Sequence, residues 1–185
     1  MIPNVADMER EMLALEADMA KVMQQSRVIV KEAGKCIVTM HSGRMADAES
    51  MLGELGKKVR GLWEVDGGFG HYSLEAYQEY AEAYIVYTYL KEGRIAGRDE
   101  IGVGSRPYIL GMLDAVGELK RRAFNLLRAN RTDDAVRVCD VMQGIVDDTS
   151  SMRFPEGLLP GLRVKQDMAR RHVGDLVEQL VSRRA

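Results

Sequence analysis

From Met8 to Met40, apolar or small side chains recur at steps that alternate between four and three: Met8, Met12, Leu15, Met19, Val22, Ser26, Ile29, Ala33, Cys36 and Met40. A mean step of about 3.5 residues lays them along one narrow stripe of a helix that is too long for an ordinary globular one. Asn4 stands where its N-cap is expected. Such a stripe needs another helix to cover it, so helix-on-helix packing is the architecture this chain is built for. Its methionines suit adaptable packing better than a metal or cofactor site.

After His41, Ser42 and Gly43 a second helix carries Ala48, Leu52, Leu55, Val59 and Leu62 and ends near Trp63, which makes a helical hairpin with the first. The run Asp66, Gly67, Gly68, Phe69, Gly70 follows no strand and lacks the Lys and Ser/Thr of a phosphate loop, so it reads as a turn. Ser73 is expected to cap a third helix that reaches about Lys91. A loop with Gly93, Gly97, Gly102 and Gly104 leads to Ser105, Arg106 and Pro107, the start of a fourth helix that Asn130 closes. Thr132, Asp133 and Asp134 open a fifth through about Val146, and Phe154, Pro155, Leu159 and Pro160 mark the last loop. The final helix, from about Gly161 to Arg183, is expected to turn Leu162, Met168, Leu176, Leu180 and Val181 inward. No segment alternates as a strand does, so the fold class is all-α.

Composition narrows the function classes. With 46% hydrophobic residues in 185, the expectation is a single domain over residues 1–185. A net charge of -2 lacks the bulk positive field of a dedicated nucleic-acid-binding domain, so any RNA contact must use a local patch. Cys36 and Cys139, each within an apolar helical stretch, suggest neither a disulfide framework nor a zinc site, which fits a reducing, cytoplasmic setting. No apolar run is long enough for a membrane span, and the acidic start (Asp7, Glu9, Glu11) does not resemble a signal peptide.

Four carboxylates look misplaced. Glu79 and Glu82 share a face of the third helix with Ala83, Val86 and Leu90, while Tyr77, Tyr80, Ala81 and Tyr84 make its other side apolar. On the fourth helix Asp114 and Glu118 fall together with Arg121 and Asn125, away from the stripe of Ile109, Met112, Leu113, Val116, Ala123 and Leu127. Gly111 and Gly117 border this pair and allow close approach of another helix or a ligand. Converging carboxylates repel unless protonated, paired with cations, or bridged by a hard divalent ion such as Mg2+ or Mn2+. Spacing alone favours pairing, with Glu118 on Arg121 or Arg122 and the third-helix glutamates on neighbouring Lys or Arg. The three histidines, His41, His71 and His172, show no ligand spacing and are expected to cap, pack or face solvent.

Three stretches resemble the translin family, and its translin-associated-factor-X branch more than translin itself: YQEYAEAYIVYTYLKEG from Tyr77, RPYILGMLDAVGELKRRAFNLLRAN from Arg106, and GLRVKQDMARRHVGDLVEQL from Gly161, the last matching an LR-K-D pattern. The resemblance extends more weakly back to Ser26 and Arg27 and covers most of the chain. It implies an antiparallel bundle of about six to seven helices that assembles as a homo-oligomeric, octameric shell. It also implies a metal-dependent endoribonuclease that cleaves single-stranded or short duplex RNA with Mg2+ or Mn2+. Carried over residue by residue, the family's catalytic, metal-holding carboxylates fall on Glu79, Glu82, Asp114 and Glu118. Arg27, Lys31 and Lys35 on the first helix, with Arg121 and Arg122 near the acids, are candidate contacts to RNA phosphates. The alternative is a catalytically silent, translin-like oligomer that binds RNA or single-stranded DNA, against which the retained carboxylates argue.

Overall fold

The computed structural model describes residues 4–183, and within them the chain forms seven helices. They are α1 (Val5–His41), α2 (Met45–Val65), α3 (Gly70–Glu92), the short α4 (Arg98–Ile101), α5 (Ser105–Arg128), α6 (Thr132–Thr149) and α7 (Leu162–Ser182). No strand is present among the described residues. The helix expected fourth from the sequence is therefore α5, because one turn of helix interrupts the Gly-rich loop before it.

Two hydrophobic clusters meet along the seam between α3 and α5. One joins Ile29, Ala33, Cys36 and Met40 of α1 to Leu52, Leu55 and Leu62 of α2 and to Ala76, Tyr80 and Ile85 of α3. The other joins Leu119, Leu126 and Leu127 of α5 to Val138 and Met142 of α6 and to Val173 and Leu176 of α7. Ile95 and Met112 pack against both. Burying each large aliphatic side chain is worth about 1.5–3 kcal/mol, so the seam is held from both sides. Helix α3 lies between the clusters and is buried on nearly all faces, as its ring of apolar and aromatic residues foretold.

The α1 stripe is covered only in part. Val22, Ser26, Ile29, Ala33, Cys36 and Met40 are buried, whereas Met8, Met12 and Leu15 remain exposed on the turns that extend beyond α2 and α3.

Three local expectations change. Asn4 occupies the N-cap position of α1 but makes no side-chain capping bond; its backbone carbonyl accepts from the Asp7 and Met8 amides instead. Ser73 does not cap α3. The helix begins at Gly70, and Ser73 is a buried residue within it whose hydroxyl donates to the Asp66 carboxylate at 2.5 Å, joined by the Tyr77 hydroxyl at 3.1 Å. In α7 the buried stripe is Leu162, Gln166, Ala169, Val173, Leu176 and Leu180, so Met168 and Val181, each one position off that register, face outward. The helix stops fare better. Gly93 adopts φ +74° after α3, where a Cβ would be strained, and Asn130 adopts φ +57° after α5.

Candidate metal centre

The α3–α5 contact is closest at Gly111. A Cβ built there would stand 2.6 Å from the Gln78 carbonyl oxygen and 3.0 Å from the Glu82 amide nitrogen, so the two backbones touch where any side chain would hold them apart. One turn farther along α5, Asp114 then faces Glu79 and Glu82. One carboxylate oxygen from each of these three residues lies within 4.8 Å of the others.

The surroundings of the cluster are unequal. Asp114 is well partnered: Gln78 Nε2 donates to its Oδ2 at 2.7 Å, and Lys165 Nζ, reaching across from α7, lies 2.6 Å from both Oδ1 and Oδ2. Among the described residues Glu79 and Glu82 form no ion pair; what acts on them is burial and the charge of their neighbours. Glu82, only 8% exposed, has its carboxyl pushed up to about 8, first by burial, then by the charges of Glu79, Asp114 and Glu118, with Lys165 opposing. Glu79 is raised for the same first reason, then by Asp114 and Glu75.

Glu118 is the one predicted carboxylate that lies outside the group of three. Its Oε2 lies 2.5 Å from His41 Nε2, and Arg121 Nη1 stands 3.8 Å away. The His41 hydrogen bond holds this carboxyl below the ordinary glutamate range against the opposing effect of burial, with the His41 and Arg121 charges adding to the lowering. Glu118 is therefore outside the group of three, although its charge still reaches Glu82.

Of the basic residues named from the sequence, Arg27 and Lys31 line one groove with His71, Tyr72 and Glu75 at the start of α3. Lys35 faces a different groove, with Glu54 and Lys58 of α2. Arg121 stands beside Glu118, but Arg122, one residue on and so about 100° around the helix, opens into a groove with Tyr89, Asp134 and Arg137. Only Arg121 of that pair is near the acids.

Three groups at the site went unnoticed in the sequence: His41, Gln78 and Lys165. His41, expected to cap, pack or face solvent, has a side chain only 5% exposed and is bonded to Glu118. Lys165 lies in the LR-K-D pattern of the terminal segment, a signal that was available without pointing to Asp114.

Three hard carboxylate oxygens at this separation, two of them outside any ion pair among the described residues, could hold a metal ion.

No protein-family model matches the chain. Among solved structures, AfC3PO superposes with a TM-score of 0.86 at 26% identity, covering 97% of this chain and 96% of its own. The complex of AfC3PO with duplex RNA gives 0.84 at 25%, covering 97% and 95%. The chain is a translin-like protein. Apo-NeC3PO shares the fold, with a TM-score of 0.87 at 24% identity over 98% of this chain and 97% of that one. An uncharacterized protein of Methanocaldococcus jannaschii is 23% identical over 154 residues, 81% of this chain and 69% of the relative. The translin-like bundle thus extends over nearly the whole chain, and no described helix is long and apolar enough to cross a membrane.

Proposed function

We propose that this translin-like protein is a metal-dependent endoribonuclease of the factor-X type, acting on single-stranded or short duplex RNA. The observation that carries this reading is the convergence of Glu79, Glu82 and Asp114, with a buried Glu82 that forms no ion pair among the described residues. The superposition on AfC3PO, solved with duplex RNA, supports the substrate class. Glu79, Glu82 and Asp114 would hold Mg2+ or Mn2+, which activates water toward a phosphodiester and offsets charge on the leaving oxygen. Gln78 fixes the rotamer of Asp114. Glu118, kept ionised and oriented by His41, presents a fixed hydrogen-bond acceptor for water beside the cluster. Arg121, with Arg27 and Lys31 in their groove, supplies positive charge for the RNA backbone.

The uncovered Met8, Met12 and Leu15 of α1 support self-assembly, which we place at a cytoplasmic homo-octamer with the acids facing inward. The partnering of Asp114 by Lys165 and of Glu118 by His41 favours a second reading, a silent RNA- or single-stranded-DNA-binding oligomer whose acids serve as internal ion pairs. Incubating a labelled short RNA with chelator-treated protein, with and without Mn2+, separates the two. The nuclease cleaves only with the ion and loses cleavage in Glu82→Ala and Asp114→Asn while staying folded; binding without cleavage under every condition establishes the silent shell.

A further inference from the structure

Lys165 is the one residue at the cluster whose placement the nuclease reading leaves without a task. Its backbone is anchored on α7 between the buried Leu162 and Gln166, the latter tied to the Thr149 carbonyl at 2.6 Å. From there the side chain crosses to α5 and places its ammonium against both oxygens of Asp114, and its charge opposes the upward push on Glu79 and Glu82. Among the described residues no other Lys or Arg forms an ion pair with any of the three carboxylates. The ammonium thus stands on the same carboxylate that a divalent ion held by the three acids would need.

We infer that Lys165 is a built-in counter-cation of the acid pocket: it competes with the divalent ion for Asp114, and it presents the pocket's own ammonium to the anionic phosphodiester of the substrate. The inference rests on the proposed metal site. Two consequences of opposite sign follow. Removing the charge takes away a competitor, so metal should bind more tightly; it also takes away a donor for phosphate, so cleavage should fall even when the metal site is full. A plain structural bridge between α5 and α7 has neither signature. Its loss would lower the melting temperature and would weaken metal binding, by freeing Asp114 to move, or leave it unchanged.

The test compares wild type, Lys165→Met, Lys165→Gln and Lys165→Arg by Mn2+ titration calorimetry and by cleavage of a short labelled single-stranded RNA at saturating Mn2+. Circular dichroism checks folding of each, and Lys165→Gln, which keeps a neutral donor toward Asp114, serves if the Met variant does not fold. The expected result is Mn2+ binding tightened roughly tenfold in the neutral variants, the scale of one unit charge removed at hydrogen-bond distance in a partly exposed site. Their kcat should fall at least about tenfold, while Lys165→Arg, which restores a cation, should recover much of both properties. Neutral variants that bind Mn2+ no more tightly, or that cleave as well as wild type at saturation, overturn the inference and leave the metal site standing. A wild type that neither binds Mn2+ nor cleaves RNA overturns the metal-site reading and the inference with it.

Discussion

His41 Nε2 and Glu118 Oε2 lie 2.5 Å apart, joining the last residue of α1 to the middle of α5 beside the three-carboxylate group. The imidazole is almost wholly buried and Glu118 is half-buried, so deleting either partner leaves the other poorly solvated. His41→Ala should cost about 1–3 kcal/mol in urea unfolding, the range for losing a hydrogen bond to a charged group. A cycle of His41→Ala, Glu118→Ala and the double variant should show a coupling of about 1 kcal/mol or more. Strict additivity would mean that the contact does not persist in solution.

Glu82 gives the metal-free protein a stability that falls as pH rises. Its folded-state pKa, about 8, lies above the ordinary value of 4.5, so between those limits the folded chain binds the proton more strongly than the unfolded chain does. The stability present below the lower limit is lost progressively as pH climbs toward the upper one, by an amount on the order of 5 kcal/mol at most. Melting curves of chelator-treated protein from about pH 5 to pH 8.5 should therefore decline more steeply for wild type than for Glu82→Gln, which has no proton to lose. Parallel pH profiles for the two proteins would show that Glu82 is ionised throughout that range.

Gly111→Ala should damage the site without touching a carboxylate. The new methyl group would meet the Gln78 carbonyl and the Glu82 amide, both backbone atoms of α3, so relief requires the helices to separate. Overpacking of this kind costs about 1–3 kcal/mol, and any separation moves Asp114 away from Glu79 and Glu82. Loss of stability together with weaker Mn2+ binding is expected. Gly117→Ala provides the contrast, because its Cβ would meet only the side chain of His172 at 3.6 Å, ordinary contact distance. A Gly111→Ala protein as stable as wild type would show that α3 and α5 do not pack this closely.

These cases also show how far the chain could be read before folding. Alternating steps of three and four identified the α1 stripe and placed Glu79, Glu82, Asp114 and Glu118 on suspicious faces, because helical geometry is local. What lies against a face is not local. Periodicity could not tell that the α1 stripe is covered from Val22 onward but not at Met8 or Met12. The partners that decide the chemistry come from far along the chain: Lys165 stands 51 residues from Asp114, and His41 stands 77 from Glu118. The same distance explains why four equivalent acids in the sequence become a group of three and a fourth turned aside. Ser73 misled for a related reason, since the acceptor at the start of α3 is Asp66, seven residues earlier, and Ser73 is its donor.

The split between the three acids and Glu118 sets an order of effects in metal-dependent stabilisation. A ligand that binds only the folded state adds RT ln(1 + [L]/Kd), about 2.7 kcal/mol at a hundredfold excess over Kd, or roughly 5–11 °C in melting temperature for a chain of this length. Wild type treated with chelator should gain a shift of that size on addition of Mn2+ at about pH 8, where the ion also relieves the repulsion at Glu82. Glu82→Gln and Asp114→Asn should lose most of it. Glu82→Gln should in addition melt higher than wild type in chelator, because it removes a buried charge. Glu118→Gln should keep most of the shift, since its carboxylate faces His41 and not the three-oxygen group. If Glu118→Gln abolished the Mn2+ response as completely as Asp114→Asn, Glu118 would have to swing from His41 to the ion, and the group of three would be incomplete without it.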